Sequence, residues 1–433
     1  MPLQAILVHV MSAKKVLMFG WEYPPHHSGG LGVACKGMAH ALIDNDVHVC
    51  FMLPKTLPLN EVKVPIDFAD KYLKKNTSTS IEVIPTPSHL EILARELQNP
   101  YITSVEYEKR LKIFIEAGGK SIPRTLFEQV DYYGALMRTH PKDDLNRYDL
   151  IHAHDWLCFP AAIAAKELTG KPFIAHIHAT EFDRCGGSNV NQQVYDRERH
   201  GMHASDHIIA VSELTKRTIV NNYGIHSDKV TVVHNGNTLS LPSHNSRFSS
   251  LMDLKKDGKK IVLFAGRITI QKGVDYFIHA AKKVLEYEQG VYFIVAGSGD
   301  MEGQIITLAE NLGIREHFLF TGYYTLEEQP SLFSLADLVV MPSVSEPFGI
   351  IPLESMSNGT PVIVSKQSGV SEVITHALKV DFWDTDEMAN NILAVLHHPV
   401  LKETLKIEGL KQVQGITWDK AALKIKNLYH TLV

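Results

Sequence analysis

The feature that most limits what this chain can become is the alternation of short apolar runs with helical patterns. Lys15–Gly20 reads as a strand ending in a Gly/Pro-rich loop, and Leu31, Ala34, Met38 and Leu42 then recur at three- and four-residue steps, the period of an amphipathic helix. Val47–Leu53, Asp149–Ala153, Phe173–His178, His207–Val211 and Lys229–His234 read as further strands, with helical stretches at Leu126–Met137 and Phe159–Leu168. Within residues 55–148 a strand is expected at Ile81–Ile84 and a helix near Leu90–Leu97. Polar residues 241–258 read as linker. A second series then runs through strands Ile261–Ala265, Val291–Ala296, Phe318–Phe320, Leu338–Met341 and Val362–Val364, with helices between them. Strands that alternate with helices form parallel sheets covered on both faces. The expected fold class is α/β, with two doubly wound Rossmann-like domains, residues 14–240 and 255–415, facing across a cleft.

Composition narrows the class. At 433 residues, and roughly 100–200 residues per domain, two or three domains are expected. Apolar residues make up 45%, which excludes a mostly disordered chain. Lys plus Arg number 43 against 48 Asp plus Glu, a net charge of −5, so no large basic nucleic-acid surface is expected. Cys35, Cys50, Cys158 and Cys185 lie far apart and form no CxxC pair, which fits a reducing, cytoplasmic setting. The apolar runs are far shorter than the ~20 residues of a spanning helix; peripheral membrane contact and oligomeric state stay open. Residues 1–13 are apolar without a basic leader or small-residue cleavage site and read as an extension.

Several loops carry residues suited to chemistry. In FAGRITIQKG, residues 264–273, Arg267 and Lys272 follow a strand and together suit a diphosphate; a solvated loop with two cations is the plainer alternative. In SEPFGIIPLESMSNG, Glu346 precedes a Pro-Phe-Gly turn, Pro352 sits in the first turn of a helix, and Gly359 is placed to end it. Glu354 could accept hydrogen bonds from a ribose diol and Glu346 could reach sugar hydroxyls; as helix N-terminal acids both would favour the dipole, which suits Glu354 better than Glu346. In GWEYPPHHSGGLG, Gly29 and Gly30 allow close backbone approach to a phosphate or sugar, and Glu22 ends the strand where an acceptor would lie. IHAHDW and AHIHATEFDR place His152 with His154, and His176 with His178, on common strand faces; His154 and His178, nearest the strand ends, are the stronger site candidates, beside Glu181. Neither strand supplies a third ligand by itself, so no metal is expected. AGSGD brings Gly299 to another strand end, where it could line a nucleotide pocket.

Together the Gly29–Gly30 loop, HAHDW (152–156), SDHIIAVSE (205–213), VHNGN (233–237), GRxxxxKG (266–273), SGD (298–300) and the Glu346-to-Glu354 element resemble the retaining GT-B glycosyltransferases, the broad group of glycogen, starch and sucrose synthases. They run in that family's order. The resemblance implies that Arg267 and Lys272 neutralise the donor diphosphate, Glu354 holds the nucleotide ribose, and Glu346 with the backbone of Phe348, Gly349 and Ile350 holds the donor sugar. His154, or His178, would contact the sugar. Residues 416–433 resemble the family's last helix, which crosses back onto the first domain. Where bacterial glycogen synthases carry a Lys two residues before the Gly-Gly pair, this chain has His27.

The resemblance implies a metal-independent hexosyltransferase without a cofactor. A nucleotide-diphosphate sugar, expected to carry glucose, is its donor, and a glycan or other hydroxyl compound is its acceptor. No Asp-x-Asp motif is positioned to hold the diphosphate and no carboxylate nucleophile stands out; the resemblance implies a same-face attack giving an α-linkage. An α-glycosyltransferase of another pathway, an epimerase or phosphorylase on a similar scaffold, and an inactive nucleotide-sugar-binding protein are the competing readings.

Overall fold

The computed structural model describes residues 13–25, 29–59, 61–72, 112–113, 116, 125–187, 189–237 and 246–433. The strand and helix expected at 81–84 and 90–97, and His27, lie outside them.

The first sheet has seven strands: β1 Lys15–Phe19, β2 His48–Leu53, β3 Ile66–Phe68, β4 Leu150–His154, β5 Phe173–Ile177, β6 His207–Ala210 and β7 Val230–Val232. Their order is β3-β2-β1-β4-β5-β6-β7, and every pairing is parallel. The second sheet has six: β8 Lys260–Ala265, β9 Val291–Ala296, β10 Phe318–Gly322, β11 Leu338–Met341, β12 Val362–Ser365 and β13 Leu378–Val380, ordered β10-β9-β8-β11-β12-β13 and again all parallel. Central strands buried on both faces need continuous apolar runs. β11 (LVVM) and β12 (VIVS) are buried throughout for that reason. β4 (LIHAH) and β5 (FIAHI) are equally buried but carry histidines within them.

The polar stretch 241–258 corrects the linker expectation. Ser249–Lys256 is a helix, anchored by the buried Leu251 and by Lys255 at 2.7 Å from both carboxylate oxygens of Asp337. A mostly polar sequence hid it, because its docking rests on a few apolar side chains, Phe248, Leu251 and Leu254, and on that ion pair. The last helix, Trp418–Leu432, buries Trp418, Ala421, Ala422, Ile425 and Tyr429, a stripe that packs with the helix Gly30–Asp44 of the first half. The crossing there is tight: a Cβ on Gly37 would lie 2.5 Å from Trp418 Nε1, and one on Gly236 would lie 2.1 Å from the Trp418 backbone nitrogen. No described helix is long and apolar enough to cross a membrane.

Candidate functional site

Parallel sheets bind ligands at the carboxyl ends of their strands, where the strand order reverses. In the second sheet the reversal lies between β8 and β11, so the loop after each meets the other. The loop after β8 carries Arg267 and Lys272, and that after β11 carries Glu346. Gly266 and Gly273 hold φ values of 135° and 63°; a Cβ on Gly273 would sit 2.1 Å from the carbonyl oxygen of Pro342, so this turn requires glycine. Lys272 Nζ forms an ion pair with Glu346, which also accepts a 3.3 Å hydrogen bond from Ser343 Oγ. Two residues 74 positions apart are thus joined at the reversal point. Arg267 is exposed.

Glu346 stands in a loop pinned on both sides. Its backbone nitrogen donates to Gln367, and Gly369 and Val370 donate to the carbonyls of Glu346 and Phe348. Gly349, at φ 91°, puts a would-be Cβ 3.0 Å from Glu346 Cγ, so the turn fits closely around that side chain. The Phe348 ring is buried in the core of the second half, which leaves its backbone for the cleft. Ile350 precedes the helix Ile351–Ser357, which carries Pro352 in its first turn. Glu354 on that helix is half-buried and is bonded by the Gln329 side-chain amide; burial pushes its carboxyl up to about 7. Gly299 is a packing glycine, since a Cβ there would overlap the Ile268 carbonyl at 2.2 Å.

In the first sheet the order reverses between β1 and β4. The loop after β1 leads to Gly29, the N-cap of Gly30–Asp44. Glu22 is not open to an acceptor as expected: it is 3% exposed and accepts a 2.8 Å hydrogen bond from the Gly32 N–H. The helix N-terminus beside the Gly29–Gly30 pair is therefore already occupied by a carboxylate. Burial raises Glu22 to about 7, opposed by hydrogen bonds from Gly32 and Gly29 and by Arg267 of the opposite half. Glu22 follows β1 of the first sheet and Arg267 follows β8 of the second, each at the carboxyl end of its strand.

Glu181 is likewise unavailable. It pairs with Arg184 at 3.0 Å and accepts from the Asn191 N–H, in a buried network where Arg184 also meets Glu198. The network fixes the turn carrying Asp183, whose Oδ1 accepts a 2.6 Å hydrogen bond from Ser345 Oγ across the cleft. Nearby, Glu372 accepts from the Glu213 and Leu214 N–H groups at 2.9 and 2.8 Å and meets His234 at 2.9 Å.

The histidines form one cluster, because β4 and β5 are neighbours. His152 meets Tyr429 Oη at 2.6 Å and His176 at 3.1 Å, and His154 Nδ1 lies 3.0 Å from His178 Nε2. His154 is fully buried, which corrects its expected place at the cleft surface; His178, one layer further along, is half-buried and is the histidine that reaches it. Burial holds His152 and His178 down at about 3, so both are neutral imidazoles. His154 Nε2 and His176 Nε2 are buried without a partner among the described residues, a cost of about 1–3 kcal/mol for a group left unpaired. The expectation that no third ligand is available also needs correction. Cys35, His154 and His178 form one set, and His152, His154 and His176 another, with donor atoms within 4.8 Å in each.

Gln329, which holds Glu354, escaped the sequence reading and left no trace in it. Asp183 and Asp155 stand in the two histidine motifs without an expected role: Asp183 reaches Ser345, and Asp155, at φ 56°, accepts from the His178 N–H at 2.7 Å.

Two facing parallel α/β domains, with cationic and acidic side chains meeting at the strand-order reversal, define the GT-B class of sugar-transferring enzymes. A family model described as Glycosyltransferase Family 4 matches residues 28–240, and one described as Glycosyl transferases group 1 matches residues 251–412. An uncharacterized glycosyltransferase of Methanocaldococcus jannaschii is 30% identical over 432 residues, covering 96% of this chain and 97% of the relative. A glycogen synthase of Mycobacterium tuberculosis is 26% identical, over 83% of this chain and 80% of its own length. The Anabaena protein HepE, solved in complex with UDP and glucose, superposes with a TM-score of 0.68 at 16% identity, over 97% of this chain and 100% of that one. The chain belongs to this glycosyltransferase family, with the GT-B fold, and is a glycosyltransferase.

Proposed function

We propose that this enzyme moves a hexose, glucose as first choice, from a nucleotide-diphosphate sugar to a glycan or other hydroxyl acceptor, with retention of the α-configuration. The observation that carries the reading is the junction of Lys272 with Glu346 at the reversal point, with Arg267 on the same loop. Arg267 and Lys272 meet the charge that develops on the leaving diphosphate, which needs fixed cations in a low-dielectric cleft. Glu346, held by Lys272 and Ser343, turns its remaining acceptor capacity to the donor sugar hydroxyls. Glu354 takes the ribose diol; a partly desolvated carboxylate bonded, among the described residues, by Gln329 gains from two hydroxyl donors. His178, a neutral imidazole at the cleft, contacts the sugar, with its orientation set by Asp155 and His154. No metal or organic cofactor enters this scheme. The Asp-x-Asp sequence at 384–386 is committed elsewhere: Asp384 caps the helix Thr385–His397 and Asp386 pairs with Lys283. The M. tuberculosis glycogen synthase relative and the HepE complex support a nucleotide-sugar donor.

The test is nucleotide release from ADP-, UDP- and GDP-glucose with and without glycogen, followed by NMR of the product's anomeric proton. Acceptor-dependent release with an α-product is expected. A β-product would overturn retention. Binding without release from any donor would favour the inactive nucleotide-sugar-binding alternative.

A further inference from the structure

We propose that Trp383, with Phe382 and Tyr276, is a platform for a carbohydrate acceptor, taking one pyranose ring of a neutral oligosaccharide beside the donor site. The inference rests on the reading of the acceptor as a glycan and gives one of its outlying units a place on the second half.

The aromatic grouping carries it first. Trp383 is 58% exposed, whereas Trp156 and Trp418 are buried and Trp21 is half-buried. Its ring is nevertheless held: it stands at 85° to Phe382 with 4.8 Å between centroids, and Phe382 in turn stands edge-on to Tyr276 at 5.1 Å. A large ring fixed by its neighbours and left in water marks a binding surface.

Position comes second. Trp383 lies in the loop after β13, and all strands of that sheet are parallel, so this loop stands on the same rim as the loops of Lys272 and Glu346. Tyr276 is in the first turn of the helix Val274–Leu285, which begins two residues after Lys272. Asp381 accepts from Lys366 Nζ and from Gln367 Nε2, both at 2.9 Å, and the Gln367 carbonyl accepts the Glu346 N–H at 3.0 Å. One residue, Gln367, therefore ties the platform to the acid assigned to the donor sugar. The neighbouring groups choose the occupant. Asp381, Asp384, Asp386 and Glu387 lie within four residues of Trp383, with Lys366 and Lys283 as their cationic partners. This excess of acid repels an anionic lipid surface. It suits a neutral sugar chain, whose C–H face covers an indole while its hydroxyls meet carboxylates and an amide, the combination of apolar wall and placed polar groups that ligand sites use. An oligosaccharide with its reacting end in the cleft lays a later unit on Trp383.

The test is titration of the full chain with maltoheptaose, cellopentaose and mannopentaose in the absence of donor. Binding of at least one is expected, with a change in tryptophan fluorescence and protection of the exposed indole from acrylamide quenching. Trp383→Ala, with fold checked by circular dichroism, should weaken that binding about 3- to 10-fold by titration calorimetry, and Trp383→Phe, which keeps a ring, should restore part of it. In the nucleotide-release assay the acceptor KM should rise by the same factor while the donor KM stays. No binding of any of the three, or equal affinity in Trp383→Ala, would overturn the platform. So would a smaller assembly of Trp383→Ala by gel filtration, which marks a contact between copies of this chain. Because the titration needs no donor, nucleotide release without oligosaccharide binding sinks the platform alone, and binding without release sinks the donor reading alone.

Discussion

Glu354→Gln separates binding from stability in opposite directions. Burial holds the Glu354 carboxyl at about 7 in the folded protein against an ordinary 4.5. A factor of ten in acidity is worth about 1.4 kcal/mol, so keeping this group ionised costs the fold about 3 kcal/mol at high pH. Because the carboxylate is half-buried, water reduces the figure to about 2 kcal/mol. The sign follows from the raised folded value. The group's contribution to stability is fully present below pH 4.5 and is lost as pH rises through about 7. A glutamine in its place carries no charge, so Glu354→Gln should melt higher than the parent at pH 8.5, by about 4–8 °C at 2–4 °C per kcal/mol for the domain concerned. The gap should close to under about 1 °C by pH 4. The same change removes a charge-assisted acceptor from the ribose, so donor affinity at pH 8.5 should fall about 10- to 100-fold. Scanning calorimetry at the two pH values and titration calorimetry with donor nucleotide check both halves. A melting gap independent of pH would refute the desolvation argument, and unchanged affinity would refute the ribose assignment.

Three further outcomes are expected. Lys272→Ala should slow turnover about 10²–10³-fold at saturating donor; full activity by nucleotide release would remove Lys272 from the chemistry. Tyr429→Phe takes away the 2.6 Å partner of His152 and should cost about 1–3 kcal/mol by urea unfolding, because a buried ring nitrogen loses its hydrogen bond; a loss below about 0.5 kcal/mol would show that the ring finds another partner. Gly236→Ala would place its Cβ 2.1 Å from backbone at Trp418, so the chain crossing must shift; a lowered melting temperature is expected, and a variant as stable as the parent would show that the crossing yields freely.

Much of the architecture was legible because doubly covered parallel strands leave unbroken apolar runs, and β8, β9, β11 and β12 stand where those runs stand. The gathering of Arg267, Lys272 and Glu346 on one rim was legible for a related reason: each lies in a loop after a strand end, and strand ends on a parallel sheet share one rim. Which groups on that rim stay open was not legible. Alternation put His152 and His154 on one face, yet the cover over them includes Tyr429, which is 277 positions away from His152. Glu22 reads as a free acid until the helix it caps is folded beside it. Glu181 reads the same way until Arg184 turns back onto it. The clustering of the four histidines was missed because each strand was counted alone, although neighbours in a sheet pool their side chains.

The chain passes between its halves twice, and the passages touch: Asn237 bridges Thr417, and Gly236 lies against Trp418. Two threads fastened at one spot behave as a pivot, so opening the halves is a swing in which displacement grows with distance from the fastening. Asn237, which bonds the Leu353 carbonyl within the Glu354 helix, stays almost fixed through such a swing. Arg267 and Glu22, on opposite sides of the opening, travel further. Arg267, Lys272, Glu346 and Glu354 all belong to the second half and keep their mutual arrangement through such a swing, while Glu22 and the histidines of the first half approach or leave them as one group.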